Sequence, residues 1–344
     1  MSIFFAIVAI IHFAMFVFGI YFFVILSKKA GYNNRNYISA LDEAAEALGL
    51  SVRPGRMAEG LTDRLAGRHG IRVATEDDAS ALRRFDPQAG MLILSSRLTS
   101  GQRAFQMATQ LGFLEQGNLI EQLARDAEMA SDDARALLQI GLANYFAGAV
   151  ILPYGAFLEA AETEGYDIER LAHRFGVGFE TTCHRLSTLQ RPEARGVPFF
   201  FIRVDRAGNI SKRQSATDFH FSRIGGSCPL WNVYEAFARP GEVLTQVAQM
   251  PDGRSYLWVA RTVSHGSGGY GAPVKRFAVA LGCDLVHAER LVYSRGLDLR
   301  NPDLATPIGA GCKICDRRAC PQRAFPMTGR PVLPDPKLSR LAPY

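Results

Sequence analysis

Apolar side chains fill the chain from Ile3 to Leu26 without a charge and with His12 as the one polar interruption. A run of about 24 such residues exceeds the roughly 20 that carry a helix across a hydrocarbon core of about 30 Å. Bulky Tyr21, Phe22, Phe23 and Val24 lead directly into Ser27-Lys28-Lys29, with no small-residue cleavage site between them. The pattern therefore predicts an uncleaved anchor. Lys28, Lys29 and Arg35 on its C-terminal flank predict a single-pass protein with its bulk in the cytoplasm.

Past a polar linker, Ala30 to Tyr37, the period becomes that of amphipathic helices. Leu41, Ala44, Ala45, Ala47 and Leu48, then Met57, Leu61, Leu65 and Ala66, recur at helical spacing, with Gly49 and Gly70 near the stops. Ile71 to Ala74 and Met91 to Leu94 are short β-like runs around a charged turn region, predicting a small antiparallel pair. Helical spacing resumes from about Ser100 to Leu158. From Gly196 the sequence turns β-rich, with runs at Val197 to Asp205 and Tyr256 to Thr262, and it ends in a Gly/Pro-punctuated loop. The expectation is an α+β chain in three parts: a transmembrane anchor over 1–29, a mainly helical domain over 30–195 and a mixed α+β domain over 196–344.

Composition adds bounds rather than chemistry. With 344 residues, 48% of them hydrophobic and 21% charged, the chain has material for two or three cores, which excludes a wholly disordered protein. A net charge of +6 admits nucleic acid, anionic lipid or a phosphorylated ligand and selects none of them.

The cysteines are more informative. Four of six lie near the C-terminus: Cys283, then Cys312, Cys315 and Cys320 in one loop. A cytoplasmic setting suits ligating thiols over disulfides. Spacing leaves the metal open: zinc sites usually pair two Cys-x-x-Cys hooks, and here there is one, Cys312/Cys315. Three clustered thiols with a remote fourth, and Pro321 after the last, match cubane-cluster usage in outline. Cys283 is the expected fourth ligand and Cys228 its alternative. Cys183, inside a helical pattern, reads as a small core residue.

Two helical stretches carry a further pattern. Arg103 to Phe113 resembles the active helix of ImmA/IrrE-type metallopeptidases, and Leu142 to Pro153 resembles their second, ligand-bearing helix. Such a peptidase needs His-Glu-x-x-His, because histidines four apart share a helix face and grip Zn²⁺ while the glutamate activates water. This chain has Thr109, Gln110 and Phe113 there, and Leu142 where the acidic third ligand belongs. The resemblance therefore implies a degenerate zincin-like scaffold without proteolysis. Its vacated groove, lined by Phe105, Thr109, Gln110, Phe113 and Asn144, is the candidate ligand slot. A membrane-anchored peptidase of this type is the disfavoured alternative. Residues Asp167 to Leu186 look like a helix-turn-helix with Arg185 on the second helix, although a similar pair is a structural unit in the peptidase-like family.

Combined with Val197 to Ser215, His220 to Phe237, Tyr256 to Thr262 and the cysteine loop, these segments make residues from about Tyr37 to Tyr344 similar to the short-chain fatty acyl-CoA transcriptional regulators. That resemblance implies a C-terminal sensor domain, short-chain acyl-CoA as ligand, and an iron-sulfur cluster, 4Fe-4S in preference to zinc, on Cys283, Cys312, Cys315 and Cys320. The phosphates of an acyl-CoA need cations, for which Arg203 and Arg223 are the first candidates, with Arg317 and Arg323 beside the thiols. The family's N-terminal DNA-reading head is expected to be missing here, the apolar segment standing in its place, so DNA enters only by analogy. A homo-oligomer is allowed. A truncated regulator without output is the remaining alternative.

Overall fold

The computed structural model describes residues 36–339 apart from 53–54, 78–80, 217–227, 267–269, 273, 319 and 333. The anchor expected over residues 3–26, and Arg223, lie outside the described residues. The remainder divides into two compact units at Gly196/Val197.

In the first unit, α1 (Ser39–Leu50) and α2 (Met57–His69) bury the apolar faces read from the sequence, Leu41, Ala45 and Leu48, then Leu61 and Leu65. Gly70 ends α2 in the left-handed region, at φ 65°, where a side chain would be strained. The small sheet corrects the expected antiparallel pair. Strands β1 (Arg72–Glu76) and β3 (Met91–Ser95) run parallel, because a third strand, β2 (Arg83–Asp86), lies between them in sequence and pairs antiparallel to β3 at the edge. The Arg-Arg-Phe-Asp composition of β2 hid it, since an edge strand needs little apolar surface.

Helices follow: α3 (Ser100–Glu115), α4 (Gly117–Asp126), α5 (Asp132–Ile151), α6 (Tyr154–Thr163), α7 (Ile168–Phe175) and α8 (Phe179–Leu186). Thr99 and Gln102 cap α3 reciprocally, each side chain taking the other's backbone N–H. Among the described residues α5 is the helix long and apolar enough to cross a bilayer, but 56% of that window is buried inside the unit. Its apolarity is that of a core helix.

One ion pair ties α1 to α8 inside this core. Arg185 donates to both carboxylate oxygens of Asp42, at 2.6 and 3.1 Å, and through Nε to the Leu152 carbonyl at 2.9 Å. Tyr145 on α5 donates to the same carboxylate at 2.7 Å and accepts from the Ile38 amide at 3.0 Å. Burial and the neighbouring Asp42 hold the Tyr145 phenol well above its ordinary range. Arg185 is thus unavailable as a DNA-reading residue, and most of α8 is buried. The helix-turn-helix likeness is structural.

The second unit is built on one sheet in the order β11-β8-β9-β10-β6-β7. Its strands are β6 (Phe200–Asp205), β7 (Ile210–Ser215), β8 (Leu244–Gln249), β9 (Ser255–His265), β10 (Lys275–Asp284) and β11 (Thr306–Pro307), antiparallel except for the short β11/β8 pair. A short hairpin, β4 (Gln190–Arg191) with β5 (Ala194–Arg195), closes the first unit.

Side chains alternate across a strand, so the sheet has two defined faces. One carries Phe200, Ile202, Tyr256, Trp258, Ala278 and Ala280, packed with Trp231, Val233 and Ala236 from the segment around α9 (Asn232–Glu235). Trp231 meets Trp258 edge-on at 4.4 Å, so the aromatic spacing seen there is core. The other face carries Phe201, Val279, Leu281 and Cys283, buried as well.

Gly282 sits where the first face is tightest. A Cβ there would stand 2.2 Å from the Phe200 ring and 2.7 Å from that of Trp258. Gly282→Ala is expected to cost about 1–3 kcal/mol by overpacking, read as a lower urea midpoint at constant slope. An unshifted midpoint would show that the two rings can move aside freely.

Candidate functional site

The zincin-like helices α3 and α5 do bring several predicted residues together. Thr109 is buried and donates to the Phe105 carbonyl at 2.8 Å and to Asn144 Oδ1 at 3.3 Å, so the polar groups at the old metal position bond one another. Gln110 is buried, while Phe105, Phe113 and Asn144 are half-buried. Arg83 of β2 lies over the Phe113 ring at 5.5 Å, a contact the sequence did not suggest, and burial lowers its pKa. Neither imidazole nor carboxylate occupies the positions of the peptidase motif.

The thiols converge elsewhere. Cys312 and Cys315 bracket a turn closed by the Ile314 amide donating to the Gly311 carbonyl at 3.0 Å, with Gly311 at φ 132°. Cys312, Cys315 and Cys320 line a single pocket, and the fourth cysteine lining it is Cys228. Cys228 enters after β7, at the edge of the Trp231/Trp258 core. Burial pushes its thiol up, amide N–H groups of Leu230 and Gly309 donating to the sulfur pull it back, and Cys320 and Cys315 nearby push it up again.

Gly309 is fitted between two of these sulfurs. Its amide serves Cys228, and a Cβ on it would stand 2.5 Å from Cys315 Sγ. The Ala324 amide donates to Cys312 Sγ at 3.5 Å. Four thiols around one pocket, with backbone N–H groups aimed at sulfur, suit a cluster held by thiolates.

Cys283 does not join them. It lies on β10 in register with Leu257 and on the Phe201, Val279, Leu281 face, opposite the face that packs on Cys228. Strand parity keeps it there, since a residue cannot change face without a one-residue slip. Buried with no exposed surface, its thiol is held well above the ordinary range by burial. Arg203 is on the same face as Cys283, bonded to Ser211 Oγ at 2.8 Å and stacked 4.3 Å from the Phe277 ring. Of the other cations, Arg317 and Arg323 line the thiol pocket but turn their guanidinium groups to main-chain carbonyls.

Among the described residues no three His, Cys, Asp or Glu side chains close on a single ion.

Comparison with known proteins gives this arrangement a context. Residues 66–187 match the IrrE N-terminal-like domain, and residues 188–344 match the C-terminal domain of the short-chain fatty acyl coenzyme A regulators. The HTH-type transcriptional regulator RamB of Mycobacterium tuberculosis is 55% identical over 319 residues, covering 91% of this chain and 67% of that protein. PrpR of the same organism, also an HTH-type transcriptional regulator, is 54% identical over 317 residues, 91% of this chain and 65% of its own length. The propionyl-CoA carboxylase regulator of Cereibacter sphaeroides is 46% identical, over 90% of this chain and 66% of that protein. The solved structure of a Mycobacterium tuberculosis transcriptional regulator superimposes with a TM-score of 0.88 at 53% identity, covering 91% of this chain and 97% of that one. This chain thus spans about two thirds of the length of the curated relatives it matches.

Proposed function

Because the chain belongs to the short-chain fatty acyl coenzyme A regulator family, we propose that it is the ligand-sensing part of a transcriptional regulator of short-chain acyl-CoA metabolism, propionate and acetate in particular. It is not a peptidase in this reading, since Thr109, Gln110 and Phe113 supply neither ligand nor base. It carries an iron-sulfur cluster on Cys228, Cys312, Cys315 and Cys320. The observation that carries this is the meeting of those four thiols at one pocket.

When bound, a cluster supplies one-electron redox chemistry and sensitivity to oxidants. The chain's own residues do the rest: four thiols bind, Gly309 leaves room for Cys315, and the amides of Leu230, Gly309 and Ala324 stabilise the sulfurs as anions. Binding requires the buried Cys228 thiol to lose its proton, so loading is expected to be favoured by rising pH. Anaerobic purification of residues 30–344, followed by iron, sulfide and zinc analysis, tests the reading. Iron and sulfide in equal amounts support it, and zinc alone overturns it.

The same proposal assigns the acyl chain to the face shared by α3 and α5, against the half-buried Phe105. Phe105→Trp is expected to weaken propionyl-CoA binding at least ten-fold in calorimetry while leaving the thermal midpoint in place. Unchanged affinity would put the ligand elsewhere. Contact with DNA and tethering to a membrane through residues 3–26 belong to the same proposal. Retention of the protein by alkaline-washed membranes tests the tether, and release into the wash removes it.

A further inference from the structure

Among the described residues, the loop that carries Cys312, Cys315 and Cys320 contains no strand or helix, so little regular hydrogen bonding holds its thiols in place. One side chain substitutes for that scaffold. Arg323 Nη1 donates to the Cys312 carbonyl at 3.0 Å and the Phe325 carbonyl at 3.4 Å, and Nη2 donates to the Cys315 carbonyl at 3.1 Å and to that of Arg317. A single guanidinium thus spans the Cys-x-x-Cys hook and grips the backbone of both its cysteines. Arg317 extends the attachment, its Nη2 donating to the carbonyls of Gln249, at the end of β8, and Ile308, beyond β11.

The charge matters as well as the geometry. Among the described residues no carboxylate pairs with Arg323, and both guanidinium groups line the thiol pocket. An uncompensated cation beside four sulfurs has an evident counter-charge in the thiolates that ligation creates. Arginine's planar fork reaches several carbonyls in fixed directions from two nitrogens, whereas lysine offers three rotatable donors from one.

We infer that Arg323 is a positioning residue of the thiol site: it orders the hook before any cofactor arrives, and its charge holds the bound group in a more readily reduced state. The first part stands apart from the proposed cluster. The second rests on it, because a positive charge stabilises the reduced, more negative form.

Two variants separate these roles. In metal-free, reduced protein, Arg323→Gln and Arg323→Lys are both expected to speed amide hydrogen exchange across residues 312–318 at least ten-fold, with β9 and β10 unchanged. Exchange that stays slow in both variants overturns the positioning role. After anaerobic loading, Arg323→Gln is expected to have a lower midpoint potential than the parent, while Arg323→Lys, which keeps the charge, stays close to it. Equal potentials in all three proteins overturn the electrostatic role. Failure of the parent protein itself to take up iron and sulfide, with the exchange result intact, would retire the cluster and its electrostatic tuning and leave the clamp.

Discussion

Arg185→Met is expected to destabilise the first unit by about 3–5 kcal/mol, the loss typical when one partner of a buried ion pair is removed. Asp42 has no exposed side-chain surface and Arg185 only 3%. Without the guanidinium, the carboxylate keeps the Tyr145 hydroxyl, and Arg191 Nη2 stands 3.9 Å away, but both close charged donors are lost. Water cannot reach it, so the charge is left buried or the group takes up a proton. Against the 5–15 kcal/mol that holds an ordinary domain together, this is a large fraction. The urea midpoint of residues 30–344 should fall accordingly. Asp42→Leu combined with Arg185→Met should recover most of the loss, since replacing both partners removes the stranded charge. A single-variant loss below about 1 kcal/mol would mean that solvent enters the site and solvates Asp42.

The same pair shows where sequence reading reached its limit. The apolar stripe of α1 was plain in Leu41, Ala45 and Leu48, but Asp42 beside them reads as a solvated charge. Nothing local records that its partner lies 143 residues away. Arg185 drew attention as a basic residue on a second helix, a pattern that DNA-reading helices and buried clamps share. Only burial separates them. The loss of the peptidase motif can be read in the sequence itself, by contrast, because the motif depends on residue types at fixed helical spacing, and Thr109, Gln110 and Phe113 are not its two histidines and glutamate.

Strand β2 escaped because edge strands tolerate a charged sequence. The parallel pairing of β1 with β3 followed from that omission. In the second unit, the loop cysteines were legible as a group by proximity in sequence. The fourth cysteine lining their pocket was not, because Cys228 and Cys283 are both distant and both flanked by unremarkable residues. What distinguishes them is the parity of β10, which fixes the face of Cys283 once the register with β6 and β9 is known.

That distinction yields the second large effect. Cys228→Ala is expected to abolish stable cofactor loading, with iron per chain after anaerobic reconstitution falling at least ten-fold, whereas Cys283→Ala should load as the parent does. The argument is geometric. Cys228 lines the pocket with Cys312, Cys315 and Cys320, accepts from the Leu230 and Gly309 amides, and lies close enough to Cys315 and Cys320 for their charges to act on its proton. Cys283 is fully buried on the far face of the sheet, and to reach the pocket its strand would have to slip by one residue, carrying Val279 and Leu281 with it across the core. Cys283→Ala does cost stability, because it opens a small cavity in a close-packed interior, so loading is compared at a temperature well below either midpoint. Gly309→Ala supplies an independent check: its Cβ would displace Cys315 Sγ, and it should impair loading while leaving all four thiols present. Normal iron content in Cys228→Ala together with loss in Cys283→Ala would reverse the assignment, requiring β10 to adopt a different register in the loaded protein.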